Sequence, residues 1–193
     1  MAKSPKTDNR KAPKKQRDWG AIKLYGATAV AMVAIIAGAA FSRINADRWI
    51  DAVKVFDYKG ATHLAEDITY KEIPAVGGDH FAAWQNCGFY DVPVRNEHAV
   101  HSMEHGAVWL TYRPGLPADQ VAELAGYVQR SPYVLVSPVA GQTDDVVATA
   151  WNRQLVMDGA GDDRIALFVS EFASGPQTPE PGAPCWSGVG TPK

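Results

Sequence analysis

The segment "AVWLTYRPGLPADQVAELAGYVQRSPYVLVSPV", residues 107–139, predicts a strand, a helix and a second strand in succession. Residues 107–112 are β-branched and aromatic, and Pro114 ends this first strand. Pro117 then suits the first turn of a helix. The apolar side chains of that helix recur at helical spacing, at Val121, Leu124, Ala125 and Val128. Residues 133–139 are apolar again and predict the second strand.

Two further apolar stretches extend this unit towards the C-terminus. Residues 146–157 predict one or two more strands. Residues 162–172, "DDRIALFVSEF", predict a helix whose apolar face comprises Ile165, Phe168, Val169 and Phe172. The pattern therefore predicts an α+β fold, with a small mixed or antiparallel sheet of about four strands and two amphipathic helices packed on it.

The chain around this core is less regular. Residues 59–94 show little periodicity and are punctuated by Pro and Gly, which predicts mostly loop with short extended pieces. The last twenty residues form a Pro/Gly-rich tail. We therefore place the α+β domain at 59–193, with a connector at 43–58 before it.

An apolar run near the N-terminus predicts a membrane anchor at 23–42. Residues 24–41 carry no charge, and as a helix they would rise about 27 Å, close to the thickness of a bilayer core. Because Lys and Arg are concentrated in the preceding residues, the disordered tail 1–22 should stay in the cytoplasm and the domain should lie outside. A cleaved signal peptide is the alternative, but its apolar region is usually shorter.

The charge is unevenly distributed along the chain. Residues 1–23 carry eight Lys or Arg against two Asp, whereas the part after the apolar run has a net charge of −8. An acidic domain excludes nucleic acid as the expected partner, because phosphates need a cationic surface. The bilayer is the partner that the sequence predicts.

The chain has two cysteines, Cys87 and Cys185, both in the part predicted to lie outside. A distant pair in an oxidising compartment most simply forms a disulfide. Two thiolate metal ligands, or one reactive thiol, are the alternatives, but the C-x-x-C spacing that would support them is missing.

All five histidines lie between His63 and His105. Residues 97–105 predict a short helix, with Asn96 as the N-cap and Gly106 as the stop. On that helix the side chains of His98, His101 and His105 share one face.

These residues predict a metal site. We expect His101 and His105 to be ligands, with His98 and His80 as the next candidates. Imidazoles suit Cu and Zn, and the Met103 thioether would favour copper if the backbone were extended. Copper is therefore the first candidate and zinc the second, and Glu104 would orient a ring or act as a base.

Two other functions are consistent with the same residues. The letters "HSMEH" match H-x-x-E-H, in which two histidines bind zinc and Glu104 would be the general base of a hydrolase. Alternatively the His/Glu cluster only stabilises the fold of an accessory subunit that docks on a membrane protein complex. A binding module is favoured over an enzyme.

Three segments resemble a known family: "PAVGGDHFAAWQNCGFYDVPV", "NEHAVHSMEHGAVWLTYRP" and "EPGAPCWSGVG". They are similar to the bacterial family catalogued as domain of unknown function 3105, whose members typically carry one membrane anchor. The resemblance implies the same architecture, the anchor and the pairing of Cys87 with Cys185, and it leaves the chemistry open. Asp79 departs from the family pattern, in which proline is more usual.

Overall fold

The computed structural model describes residues 32–38, 49–59 and 62–193. The strands are β1 (Lys54–Val55), β2 (His63–Leu64), β3 (His80–Phe81), β4 (Gly88–Phe89), β5 (Val108–Tyr112), β6 (Val134–Pro138), β7 (Val146–Ala150) and β8 (Arg153–Met157). The α-helices between 62 and 193 are α1 (Asn96–Glu104), α2 (Ala118–Ala125), which continues into a 3-10 turn at Gly126–Gln129, and α3 (Arg164–Phe172).

Six strands form one mixed sheet in the order β1-β8-β7-β5-β6-β4. Strand β6 runs parallel to β5 and to β4, and the other neighbours are antiparallel. Strands β5 to β8 are the ones that the sequence predicts. The predicted number of about four strands was too low, because β1 and β4 contain two residues each and give no periodic signal.

The two faces of the sheet are covered by different helices. Along β5, Val108 and Leu110 belong to an apolar cluster that includes Leu124 of α2 and Phe168 of α3. Trp109, between them, points to the other face, because side chains alternate along a strand. It belongs to a second apolar cluster, which contains Ala99, Val100 and Met103 of α1. Helix α1, predicted at 97–105, therefore covers this face of the sheet, and the two predicted amphipathic helices cover the other.

Helix α1 begins differently from the prediction for 97–105. Asn96 is its first residue rather than its N-cap, and the Asn96 side-chain oxygen accepts the N–H of Ala75 at 3.5 Å. Gly106 follows the helix with a φ of +109°, which glycine adopts without strain. A Cβ there would lie 2.9 Å from the Cα of Ser174. The helix therefore ends where the chain passes close to the residues after α3.

Part of the predicted connector 43–58 is built into the domain. Strand β1 pairs with β8 at the edge of the sheet. The ring of Trp49 packs edge-on against Phe168 and Phe172, at centroid distances of 6.5 and 6.2 Å.

The predicted tail 1–22 and most of the predicted anchor 23–42 lie outside the described residues. Residues 32–38 are helical, and their side chains are exposed. Among the described residues, no helix has both the length and the apolar character needed to cross a membrane. The chain divides into two units, Met1–Asp47 and Arg48–Lys193, and all the labelled elements lie in the second.

The C-terminal tail is fastened to the domain through the two cysteines. Cys87 and Cys185 lie at disulfide distance, with their Cα atoms 5.3 Å apart. The backbone N–H of Cys87 also donates to the carbonyl of Cys185 at 2.8 Å. The tail therefore packs beside β4, close to the end of α1.

Candidate metal centre

Four side chains place one potential metal-ligand atom each within 4.8 Å of one another. They are His63, His80, His101 and Glu104. The last three are buried, whereas the side chain of His63 is 48% exposed. The cluster is therefore closed on most sides and reaches solvent at His63.

Two local structures bring these side chains together. His63 on β2 lies directly opposite His80 on β3 in a parallel pair. His101 and Glu104 lie three residues apart on α1, which puts them on one face of the helix. Ala99, Val100 and Met103 pack in the apolar core. The helix thus fixes His101 and Glu104 on the side that meets β3.

The backbone orients two imidazoles of the cluster and that of the neighbouring His105. The Nδ1 atoms of His80, His101 and His105 lie 2.9, 2.6 and 2.8 Å from the carbonyl oxygens of Gly78, Phe81 and Pro184. Because a carbonyl only accepts, each Nδ1 must carry the proton. The Nε2 atom of each neutral ring is then left with a free lone pair, which is the arrangement of metal-binding histidines.

The Nε2 atom of His80 is buried and has no hydrogen-bond partner among the residues that the structure describes. It lies 3.0 Å from Oε2 of Glu104, a contact that is an ion pair when His80 is protonated but that does not meet hydrogen-bond geometry. Buried polar atoms are almost always paired, and an unpaired one points to a missing ion or water. We take this atom as the strongest local sign of a ligand position.

The protonation states of His101 and Glu104 suit a cation. Burial, helped by the nearby His80 and His105, lowers the pKa of His101 to about 4, so that its ring is neutral near pH 7. Burial raises the pKa of Glu104, but His80 and the other imidazoles outweigh it, and the net pKa is lowered. Burial lowers the pKa of His80, and Glu104 with the Gly78 carbonyl raises it overall. The cluster thus presents an anionic oxygen beside imidazole nitrogens.

The distances are close to those of a coordination sphere. Oε2 of Glu104 lies 3.9 Å from Nε2 of His63 and 3.9 Å from Nε2 of His101. Ligands at about 2.0–2.2 Å from a tetrahedral ion lie about 3.3–3.6 Å apart, so side-chain movements of less than about 1 Å would close this set on one ion. Three imidazoles and one carboxylate suit a divalent transition metal.

The other predicted ligands occupy different surroundings. His105 adjoins the cluster, with its Nε2 atom 3.0 Å from Nε2 of His101. His98 turns away, because its Nδ1 lies 2.5 Å from the carbonyl of Ala83 and its ring packs edge-on to Phe81. Met103 is buried in the apolar core beneath α1. Of the five predicted metal ligands, the structure therefore brings His80 and His101 into the group.

His63 was not among the predicted ligands. Its local sequence, "ATHLAED", carries no motif, and its position depends on a strand pair of only two residues. The one available signal was the concentration of all five histidines in a short part of the chain.

The chain matches the family described as "Protein of unknown function (DUF3105)" over residues 62–187. The chain belongs to this family. No curated protein and no solved structure matches it. All four side chains of the cluster lie inside the DUF3105 region, as do Cys87 and Cys185, whereas the predicted anchor precedes it.

Proposed function

We propose that this DUF3105 domain binds one divalent transition-metal ion through His63, His80, His101 and Glu104. The observation that carries the proposal is the convergence of four potential ligand atoms within 4.8 Å, one of them the unpaired, fully buried Nε2 of His80. A cluster that only stabilised the fold would be expected to place that atom for a hydrogen bond with the Glu104 carboxylate, which lies 3.0 Å away.

The ligand atoms that the structure brings together favour a different ion from the copper predicted from the sequence. Copper was favoured partly because of the Met103 thioether, which suits Cu(I). Since Met103 is packed in the apolar core, the four-residue group offers nitrogen and oxygen only. This set suits Zn(II) or Cu(II), and we place Zn(II) first because its structural sites are typically four-coordinate and accept His and carboxylate ligands.

The position of Glu104 favours binding over hydrolysis. In H-x-x-E-H hydrolases the glutamate is a general base and both histidines are ligands. Here the Glu104 carboxylate lies among the potential ligands, 3.0 Å from His80, and His105 stands outside the four-residue group. We therefore propose a metal-binding module rather than a zinc hydrolase.

We further propose that the domain lies outside the cytoplasm, held to the membrane by residues 23–42. The uncharged run at 24–41, the basic residues before it and the oxidised cysteine pair support this placement. An alkaline phosphatase fusion at Lys193 tests it, because that reporter is active only outside the cytoplasm. An inactive fusion at normal expression would contradict the proposed orientation.

The metal content of the full-length protein, purified in detergent without a histidine tag, tests the proposed ligands. After incubation with zinc and removal of free ion, we expect one equivalent of zinc in the wild type and much less in His80→Ala and Glu104→Gln. His98→Ala is the matched control, because it removes an imidazole of the same helix whose ring faces the Ala83 carbonyl.

The outcomes separate the candidate functions. Wild-type protein without zinc or copper, folded and with its disulfide formed, would favour a purely structural cluster. Loss of metal in His98→Ala to the same extent as in His80→Ala would contradict the proposed ligand set.

A further inference from the structure

A second pair of facing ligand atoms lies beside the proposed site. The Nε2 atoms of His101 and His105 are 3.0 Å apart, and both rings are almost fully buried. Because both Nδ1 protons are directed at carbonyl oxygens, the two Nε2 lone pairs face each other. Such a contact is unfavourable unless a proton or a metal ion lies between them.

The C-terminal tail adds a carboxylate to this pair. Oε2 of Glu180 lies 3.6 Å from Nε2 of His105, and the Glu180 side chain is 59% exposed. The backbone N–H of Glu180 donates to the carbonyl of Glu104 at 3.0 Å, which fastens the tail at the end of α1. Glu180 therefore stands between solvent and the buried imidazole of His105.

The spacing suits an ion shared by the two imidazoles. Two nitrogens at about 2.1 Å from one ion lie about 3.0–3.4 Å apart, depending on the bond angle. The neutral ring of His101 has one free nitrogen, so it can bind an ion in the main site or an ion beside His105, but not both. The two positions are therefore alternatives for one ion.

We propose that His105 and Glu180 form a second metal position that shares His101, and that an ion passes through it on the way to and from the buried site. This inference rests on the proposed metal site and describes the path by which the ion enters and leaves that site. Glu180 would capture the hydrated cation at the surface, His105 would bind it next, and His101, whose Nε2 adjoins both positions, would pass it to the main site.

The rate of metal loading tests this route. The ring of Trp84 lies 4.9 Å from that of His105 and 5.6 Å from that of His101, so its fluorescence should be quenched by Cu(II) at either position. Stopped-flow mixing of the full-length protein with Cu(II) measures loading, and mixing the loaded protein with a chelator measures release. Trp84→Phe identifies the part of the signal that reports the site.

We expect Glu180→Gln to slow loading and release together, each by roughly tenfold if the carboxylate stabilises the transfer state by about 1.4 kcal/mol. The equilibrium affinity should then stay the same, because a lost route changes both rates equally. Loss of a true ligand would instead accelerate release. His105→Asn should slow both rates as well. Glu171→Gln is the matched control, since it removes an exposed carboxylate of α3.

Unchanged rates in both Glu180→Gln and His105→Asn would overturn the proposal, and they would show that ions load past the exposed His63 or that the two imidazoles share only a proton. Faster release in His105→Asn would also overturn it, by making His105 a ligand of the main site. A wild type that binds no Cu(II) or Zn(II) would remove the proposed function itself.

Discussion

His63 and His80 lie directly opposite each other on β2 and β3, two parallel strands of two residues each. The strands are too short to hold this register by ladder hydrogen bonds alone. The N–H of His80 donates to the carbonyl of Thr62 at 3.1 Å, and the N–H of Thr62 donates to the Asp79 carboxylate at 3.1 Å. The position of His63 therefore depends on Asp79, which does not itself enter the cluster.

Asp79→Ala should weaken metal binding without removing a ligand. Loss of the hydrogen bond from the Thr62 N–H would release β2 from β3, so that the exposed His63 would move away from the other three ligands. Partners that orient metal ligands typically contribute about 10–100-fold in affinity, and we expect the low end of that range. Competition with a chelator measures the affinity.

Asp144→Ala, which removes an exposed carboxylate elsewhere, is the control for Asp79→Ala. An Asp79→Ala affinity equal to that of the wild type would mean that His63 is either held by other contacts or is not a ligand.

Metal should stabilise the folded protein in proportion to its binding. At a free zinc concentration of 100 times Kd, the gain is about 2.7 kcal/mol, which corresponds to a rise in Tm on the order of 8 °C. Thermal unfolding with zinc and then with a chelator measures the change.

Glu104→Gln should abolish most of this zinc-dependent rise, because the amide lacks the anionic charge. Glu123→Gln, on an exposed position of α2, should retain it. An equal rise in Glu104→Gln and wild type would show that zinc stabilises the protein from another site.

The sequence predicts the central sheet well and the metal site only in part, for physical reasons. Strands β5 to β8 have five residues each, long enough for apolar and β-branched patterns to be visible. The concentration of histidines correctly identifies α1 as the helix that carries the site. The spacing of these histidines alone does not show which face of α1 packs against another element. Met103 lies on the apolar face with Ala99 and Val100 and packs in the core. His63 reaches the cluster only through tertiary pairing.

The ion pair of Asp162 with Arg164, at the start of α3, should make stability depend on pH. Hydrogen bonds from the Arg164 guanidinium lower the pKa of Asp162 to about 2, and the Asp162 side chain is only 10% exposed. Because the folded-state pKa lies below the unfolded value, this stabilisation is present above about pH 4 and is lost as the pH falls towards 2.

Asp162→Asn should therefore lower the free energy of unfolding at pH 7 by about 1–2 kcal/mol, and the difference from the wild type should shrink below pH 4. Urea unfolding of both proteins at several pH values measures this difference in the free energy of unfolding. A difference that is constant down to pH 2 would contradict the role of the carboxylate charge.

The disulfide should contribute to stability but not to ligation. Cys87 and Cys185 are 98 residues apart, and closing a loop of that size contributes about 4.7 kcal/mol in the chain-entropy model. The double variant Cys87→Ser/Cys185→Ser should lose up to this amount in urea unfolding, and the reduced wild type should match it. Zinc binding should persist, since none of the four proposed ligands lies on the tail. Loss of zinc binding in a folded double variant would show that the tail is part of the main site.

An anomalous difference map from crystals of the zinc-loaded protein tests the central claim most directly. We predict one peak at about 2.0–2.2 Å from the Nε2 atoms of His63, His80 and His101 and from a carboxylate oxygen of Glu104. A crystal grown with saturating zinc that shows no peak among these four side chains, or a peak held by His98 instead, would contradict the account.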